Sequence, residues 1–373
     1  MLVGKLHRYL AREILLPFGA GVVFLTQILI ATSILAQAGV LFGSGVSFLD
    51  VARVALDLVP HYLGYVLPVS FLLGAVVGAG RLADDREIVA MGAAGLSPAR
   101  LVPVPVLLGV AAAGAALVLA LVVEPRALHD ARLRVNDIIR RNITNDVKGG
   151  VFYEDLPGLT LYAESVHEGR WSHVLISSHD DPQAPFLALA QAGRLEPAGE
   201  GSDLRLVLRE GEVHREEAGS DEYLLAQYRR ATVTLGVAET LQEQNRVGGA
   251  LFELTVPQIA GRARAAAAAG DVEGRRRWET FLHRRIAAPL SLLAFGLLAV
   301  PVAATRRGGR AFGYAATLLS VVAYYALMRF GEGLSQKGSL PPWLGPQLAN
   351  LAFALLGAVL TALLGRRGAE AVR

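Results

Sequence analysis

Apolar residues run almost unbroken from Ile14 to Leu41. The same pattern returns at roughly 54–80, 101–124, 286–304, 311–332 and 346–365. Each run is close to the ~20 residues that a helix needs to cross a bilayer core of about 30 Å, so six transmembrane helices are predicted. The first run is far longer than a signal-peptide core, and no small-residue cleavage site follows it, so it reads as a retained helix. Between the third and fourth runs the pattern changes. "LTLYAESV" (159–166), "HVLISS" (173–178), "DLRLVLREGEVH" (203–214) and "YRRATVTLGV" (228–237) alternate apolar and polar residues. Turn-forming stretches such as "LPGL" (156–159) and "DDPQAP" (180–185) separate them. Short alternating strands with such punctuation predict an antiparallel β domain, a sandwich or jelly roll.

The expected fold is therefore an α-helical membrane protein of six transmembrane helices with an inserted, exported antiparallel β domain of jelly-roll type. Residues 1–125 hold the first three spans, with a short helix at 81–97 between the second and third. The β domain covers 126–256, an Ala/Arg-rich connecting helix 257–285, and the last three spans 286–373.

Composition supports lipid as the solvent for much of the chain. Only 18% of residues are charged, against about 25% in soluble domains. No cysteine is present, which excludes disulfides, thiolate metal sites and a cysteine nucleophile. A net charge of +3 is too small to argue for nucleic acid. The placement of the charges is more informative. Lys5, Arg8, Arg12, Arg81, Arg86, Arg100, Arg306, Arg307, Arg310, Arg366, Arg367 and Arg373 fall on one side of the predicted spans, whereas the short loops opposite hold Arg53 and Lys337. Lysine and arginine near span ends mark the cytoplasmic side. Both termini and the 81–100 segment are thus expected in the cytoplasm, and the β domain outside it.

That segment, "GRLADDREIVAMGAAGLSPARL" (80–101), sets three acids and three arginines between two strongly apolar runs. Residues 83–94 are good helix formers, and Gly95 suits a left-handed C-terminal cap. Ser97 then caps the next helix, with Pro98 at its first position. A short helix joined rigidly to two spans can move both when it is pushed. The plainer reading is an interfacial loop whose charges meet water.

The segment resembles the coupling region of the lipopolysaccharide-export permeases, the LptF/LptG (YjgP/YjgQ) family. "EPRA" (124–127), "HRRIAAPLSLLAFGLLAVPVA" (283–303), "RRGGRAFGY" (306–314) and "PPWLGPQLANL" (341–351) are similar to other signatures of that family. "RRGGRAFGY" leans toward its LptF-type half. The resemblance implies a multi-pass protein of the bacterial inner membrane with a periplasmic domain. It implies as partners a cytoplasmic ABC-type ATPase dimer, a second permease half and periplasmic β-jelly-roll bridge proteins, with lipopolysaccharide as cargo. On that basis Glu87 faces the ATPase, Asp85 and Arg86 flank it, Met91 packs under the groove and Gly95 sets the exit angle. The chain has no G-x-x-x-x-G-K-[ST] loop, so ATP hydrolysis is left to a partner.

A lipid carrying phosphates requires basic groups near the interface. Arg126, Arg275, Arg276, Arg277, Arg284, Arg285 and Arg329 are candidates, with Arg126, Arg284, Arg285 and Arg329 the principal ones. The cluster at 275–285 also reads as arginines snorkelling to headgroups. Arg329 lies in an apolar run, which marks a functional position by default, yet an internal pair with Glu332 is equally compatible. Gln27, Ser33 and Gln37 suit either a cavity lining or interhelical hydrogen bonds. No metal, cofactor or catalytic constellation is apparent. The alternative class is a non-transporting scaffold that tethers a β domain. A membrane enzyme is disfavoured, because no acid–base or metal cluster is present.

Overall fold

A computed structural model describes residues 2–42, 46–94, 97–146, 149–156, 159–167, 170–178, 186–197, 204–216, 223–235, 251–304 and 309–367. Gly95 falls outside them, so its expected capping role is not described. The chain divides into two compact units. One comprises Met1–Thr32, Asp57–His129 and Ala250–Arg373, and the other Ser33–Leu56 and Asp130–Gly249.

The helices in chain order are α1 (Leu2–Ala36), α2 (Ala38–Leu41), α3 (Phe48–Asp84), α4 (Glu87–Ala93), α5 (Pro103–Val118), α6 (Glu124–Asp146), α7 (Val256–Ala268), α8 (Val272–Ala304), α9 (Gly309–Gln336) and α10 (Leu344–Arg367). A 3-10 turn, Pro98–Leu101, precedes α5, and a π-helical turn, Leu119–Val123, joins α5 to α6. Among the described residues five segments are long and apolar enough to cross a membrane: Gly4–Ala36, Phe48–Asp84, Pro98–Ile139, Val272–Ala304 and Leu344–Arg366. Six were expected. Helix α9 covers the remaining stretch, 311–332, and is not one of the five.

Two local expectations change. The short helix expected at 81–97 is α4 alone, because α3 continues through Asp84 and the turn falls at Asp85 and Arg86. The connecting helix expected at 257–285 is two helices. The chain turns at Gly270, whose φ of 74° glycine adopts without cost, and α8 then runs unbroken from Val272 into the fourth span.

The first unit packs around α3 and α8. Of their apolar stretches 61% and 67% are buried, against 11% for α1 and 28% for α10. Phe71, Leu72, Phe295, Leu298 and Tyr324 form the centre of one continuous core. The outer helices can leave apolar faces uncovered because lipid is as good a solvent for them as protein. Polar groups do the joining instead. The Tyr324 hydroxyl of α9 donates to Asn350 Oδ1 at 2.8 Å, and Asn350 Nδ2 donates to the Ala287 carbonyl at 2.9 Å. Three helices are tied by two buried hydrogen bonds that hydrocarbon could not supply.

In the second unit, β1 (Phe152–Leu156), β2 (Leu159–His167), β3 (Arg170–Ser178), β4 (Phe186–Pro197), β5 (Leu204–Glu216) and β6 (Tyr223–Leu235) form one antiparallel sheet in sequential order. This is the antiparallel β domain expected. Every described strand pairs with its neighbours in sequence, so the sheet is a meander, and the crossover connections of a jelly roll are not among the described residues. Burial along β3 falls at Trp171 and then at Val174, Ile176 and Ser178. A spacing of three in place of two turns the inward side over partway along the strand.

Candidate functional site

The hairpin between α3 and α5 is anchored from below by its own apolar residues. Ile88 and Met91, one turn apart on α4, are buried in the same core cluster as Leu10, Ile14, Leu82 and Leu101. Asp85 and Arg86 are exposed, Glu87 is half-buried, and Arg86 adopts a left-handed φ of 57° at the tight turn into α4. Glu87 stands in the first turn of α4, where a negative charge meets unpaired backbone N–H groups. The far end is capped as expected. The Ser97 hydroxyl accepts the Ala99 N–H at 3.3 Å, with Pro98 following.

The start of α1 grips this hairpin at three points. The Tyr9 hydroxyl lies 3.4 Å from Glu87 Oε1, His7 Nε2 lies 3.2 Å from the Arg100 carbonyl, and Glu13 pairs with Arg81 at 2.8 Å. Helices α1 and α3 meet closely beside that ion pair. A Cβ at Gly78 would stand 2.7 Å from the Glu13 carbonyl oxygen, so only glycine permits the approach. Sequence reasoning used this end of α1 only as positive charge. Tyr9, His7 and Glu13 find partners 68 to 93 residues away, a separation with no local signal.

The arginines divide into distinct environments. Arg284 Nε lies 3.3 Å from Glu332 Oε1, and Arg329 Nη1 lies 3.0 Å from Glu332 Oε2. One buried carboxylate is shared between two guanidiniums, which leaves an excess positive charge. The pair proposed as the plainer account of Arg329 is thus present. Its side chain nevertheless remains 60% exposed, whereas that of Arg284 is 18% exposed.

Arg285 has a different task from the phosphate contact expected of it. It is only 4% exposed and donates to the carbonyl oxygens of Phe252 and Leu254. Its guanidinium also lies 5.3 Å from the Phe281 ring and 5.9 Å from the Phe252 ring. Arg285 therefore clamps the 251–254 turn and is not presented to a ligand. Phe252 also packs edge-on to His61, whose Nδ1 lies 2.8 Å from Glu124 Oε1. The pairing was not legible in advance, since His61 and Glu124 sit on different spans.

Arg126 is exposed. Arg275 pairs with Glu279 at 2.8 Å, one turn along its own helix. Gln27 is exposed on α1, and Gln37 is buried where α1 gives way to α2. Among the described residues no group of three or more histidines and carboxylates could hold a metal ion.

A family model described as lipopolysaccharide export system permease LptF/LptG matches residues 8–363. The chain belongs to the LptF/LptG family. The match takes in the hairpin, the arginines and the β domain alike, and it does not distinguish the LptF half from the LptG half. No curated protein matches the chain. As an LptF/LptG permease, the chain is a multi-pass membrane component of lipopolysaccharide export and not itself an enzyme.

Proposed function

We propose that this permease is the membrane half of an ABC transporter that extracts lipopolysaccharide from the bacterial inner membrane. A cytoplasmic ATPase dimer drives it, and a second permease of the same family completes the cavity, because six helices are too few to enclose a lipid with several acyl chains. Helix α9 serves as the sixth span. The β domain stands in the periplasm and passes cargo to β-jelly-roll bridge proteins edge to edge. Asp85, Arg86 and Glu87 meet the ATPase, and Met91 seats the coupling helix from beneath. Arg126, Arg284 and Arg329 receive the lipid phosphates.

The observation that carries this reading is the construction of the hairpin. Its apolar side is built into the membrane core through Ile88 and Met91, while its acidic end stays accessible and tied to α1. A solvated loop requires no such anchoring. A helix that transmits force does. The test is reconstitution in proteoliposomes with the ATPase that co-purifies from membranes. ATP-dependent release of lipopolysaccharide is expected, together with stimulated hydrolysis. A permease that retains no ATPase and releases no lipid is a scaffold instead.

Orientation is tested separately. Single cysteines at Ser97 and Ser202 are exposed to an impermeant maleimide in intact spheroplasts. Ser202→Cys should label and Ser97→Cys should not, because the basic residues near the span ends place residue 97 inside. Labelling of Ser97→Cys alone reverses the topology.

A further inference from the structure

The point at which the inward side of β3 turns over lies on a line of unpaired positions that crosses five strands. Pairs Ala163↔Val174 and Ser165↔Ser172 flank it between β2 and β3, and Ala190↔Gly211 and Ala192↔Arg209 between β4 and β5. The residue between the flanking pairs drops out of the ladder on each strand: Glu164, His173, Gln191, Glu210 and Arg229. The register is the same on both sides of this row, so no residue is inserted and the row is a crease, not a bulge. All five side chains are polar. His173 and Glu210 hold left-handed φ values of 45° and 52°, a conformation that costs a residue with a Cβ free energy and persists only where the surrounding structure imposes it.

Gly211 makes the crease possible. A Cβ there would collide with the Leu189 carbonyl oxygen, and the Tyr228 hydroxyl donates to that same oxygen at 2.9 Å. Burial pushes the Tyr228 phenol up, so it remains a standing donor. A cavity of about 890 Å³ opens along the crease, lined by His173, Gln191, Glu210 and Arg229 with Tyr162 and Tyr228. That volume suits a small ligand.

The lining decides the class of ligand. An acyl chain requires an unbroken apolar wall, and polar side chains interrupt this one. A phosphate requires excess positive charge. Here the lining sets one arginine, Arg229, against two carboxylates, Glu210 and Glu212, while His173 is already paired with Glu164 at 2.7 Å. What remains is a set of planar amide, carboxylate and guanidinium groups lining the cavity together with Tyr162 and Tyr228. Such groups offer paired donors and acceptors to adjacent hydroxyls, and the rings offer flat apolar faces to the C–H side of a pyranose. We propose that the crease of the β domain is a binding site for an uncharged saccharide. The site goes beyond the transport reading, on which only the choice of the test saccharide rests.

The test uses the full-length permease in lipid nanodiscs, with saturation-transfer NMR on lipid-free, dephosphorylated core oligosaccharide. Saturable binding is expected. Gln191→Ala combined with Glu210→Gly should weaken it at least tenfold without lowering the thermal midpoint, since glycine accepts the φ that Glu210 holds. Arg194→Gln, at an exposed position of β4 outside the cavity lining, should leave it unchanged. Competition by intact lipopolysaccharide identifies the sugar as lipid-borne, and its absence identifies a free saccharide. The proposal is overturned if no saturable transfer occurs, if the double variant binds as wild type does, or if inorganic phosphate displaces the oligosaccharide. Transport can fail in proteoliposomes with saccharide binding intact, and the reverse, so the two readings fail independently.

Discussion

Glu87→Lys is expected to leave the permease folded and to strip it of ATPase coupling. The residue lies outside the buried core and its only contact named above is the long one from Tyr9, so stability should change little. At the ATPase surface the change replaces an attraction with a repulsion. A weakening of roughly tenfold to a hundredfold is expected, about 1.4 kcal/mol for each factor of ten. Glu87→Ala should fall between the variant and wild type. The measurement is ATPase co-purification followed by ATP-driven lipid release from proteoliposomes. Wild-type release by Glu87→Lys would reduce the hairpin to a solvated turn.

The second large effect concerns the shared carboxylate, and its signs oppose one another. Arg284→Gln with Arg329→Gln should abolish most photo-crosslinking of lipopolysaccharide, because two of the three guanidiniums assigned to the phosphates are gone and only Arg126 remains. Lysine at 329 should restore it only in part, since an ammonium cannot form the planar two-bond contact. Glu332→Gln should do the reverse: crosslinking rises as the competing anion disappears, and thermal stability falls. Removing one member of a buried pair typically costs about 3–5 kcal/mol, and Glu332 is 4% exposed. Arg285→Gln belongs to neither group. It should loosen the 251–254 turn and lower stability, leaving the lipid contact to Arg126, Arg284 and Arg329. Crosslinking that does not change in the Arg284/Arg329 double variant would remove both residues from the lipid path.

Features written within one stretch of chain were legible in advance. Five of the six expected spans followed from continuous apolar runs, and the Ser97–Pro98 cap from two adjacent residues. Four of the six strands followed from alternation. β4, "FLALAQAGRLEP", was missed because Ala188, Ala190, Ala192 and Gly193 blur the contrast between its faces. Contacts between distant segments were not legible. Glu13–Arg81, His61–Glu124 and Arg284–Glu332 each join residues at least 48 positions apart, and a charge on an apolar helix does not say which neighbour will meet it. The fate of Arg285 illustrates this best. Two adjacent arginines, 284 and 285, point to different sides of one helix, so one neutralises a carboxylate while the other holds backbone carbonyls. The crease did leave a trace in the sequence: the alternation of β3 slips phase between Trp171 and Val174, and a search for such slips would have found it.

The π-helical turn at Leu119–Val123 means that the third span carries a residue more than a regular helix would use over that length. Each residue of an α-helix advances the direction of its side chains by about 100°. The surplus therefore sets the rotational phase of all that follows, beginning with Glu124. A chain shortened by one residue there would form a smoother and intrinsically more favourable helix. It would also aim the Glu124 carboxylate about a quarter-turn away from His61 and swing Arg126 to a different side. The irregularity works as a phase adjuster between two lengths of helix, and its worth lies in where it points the residues beyond it.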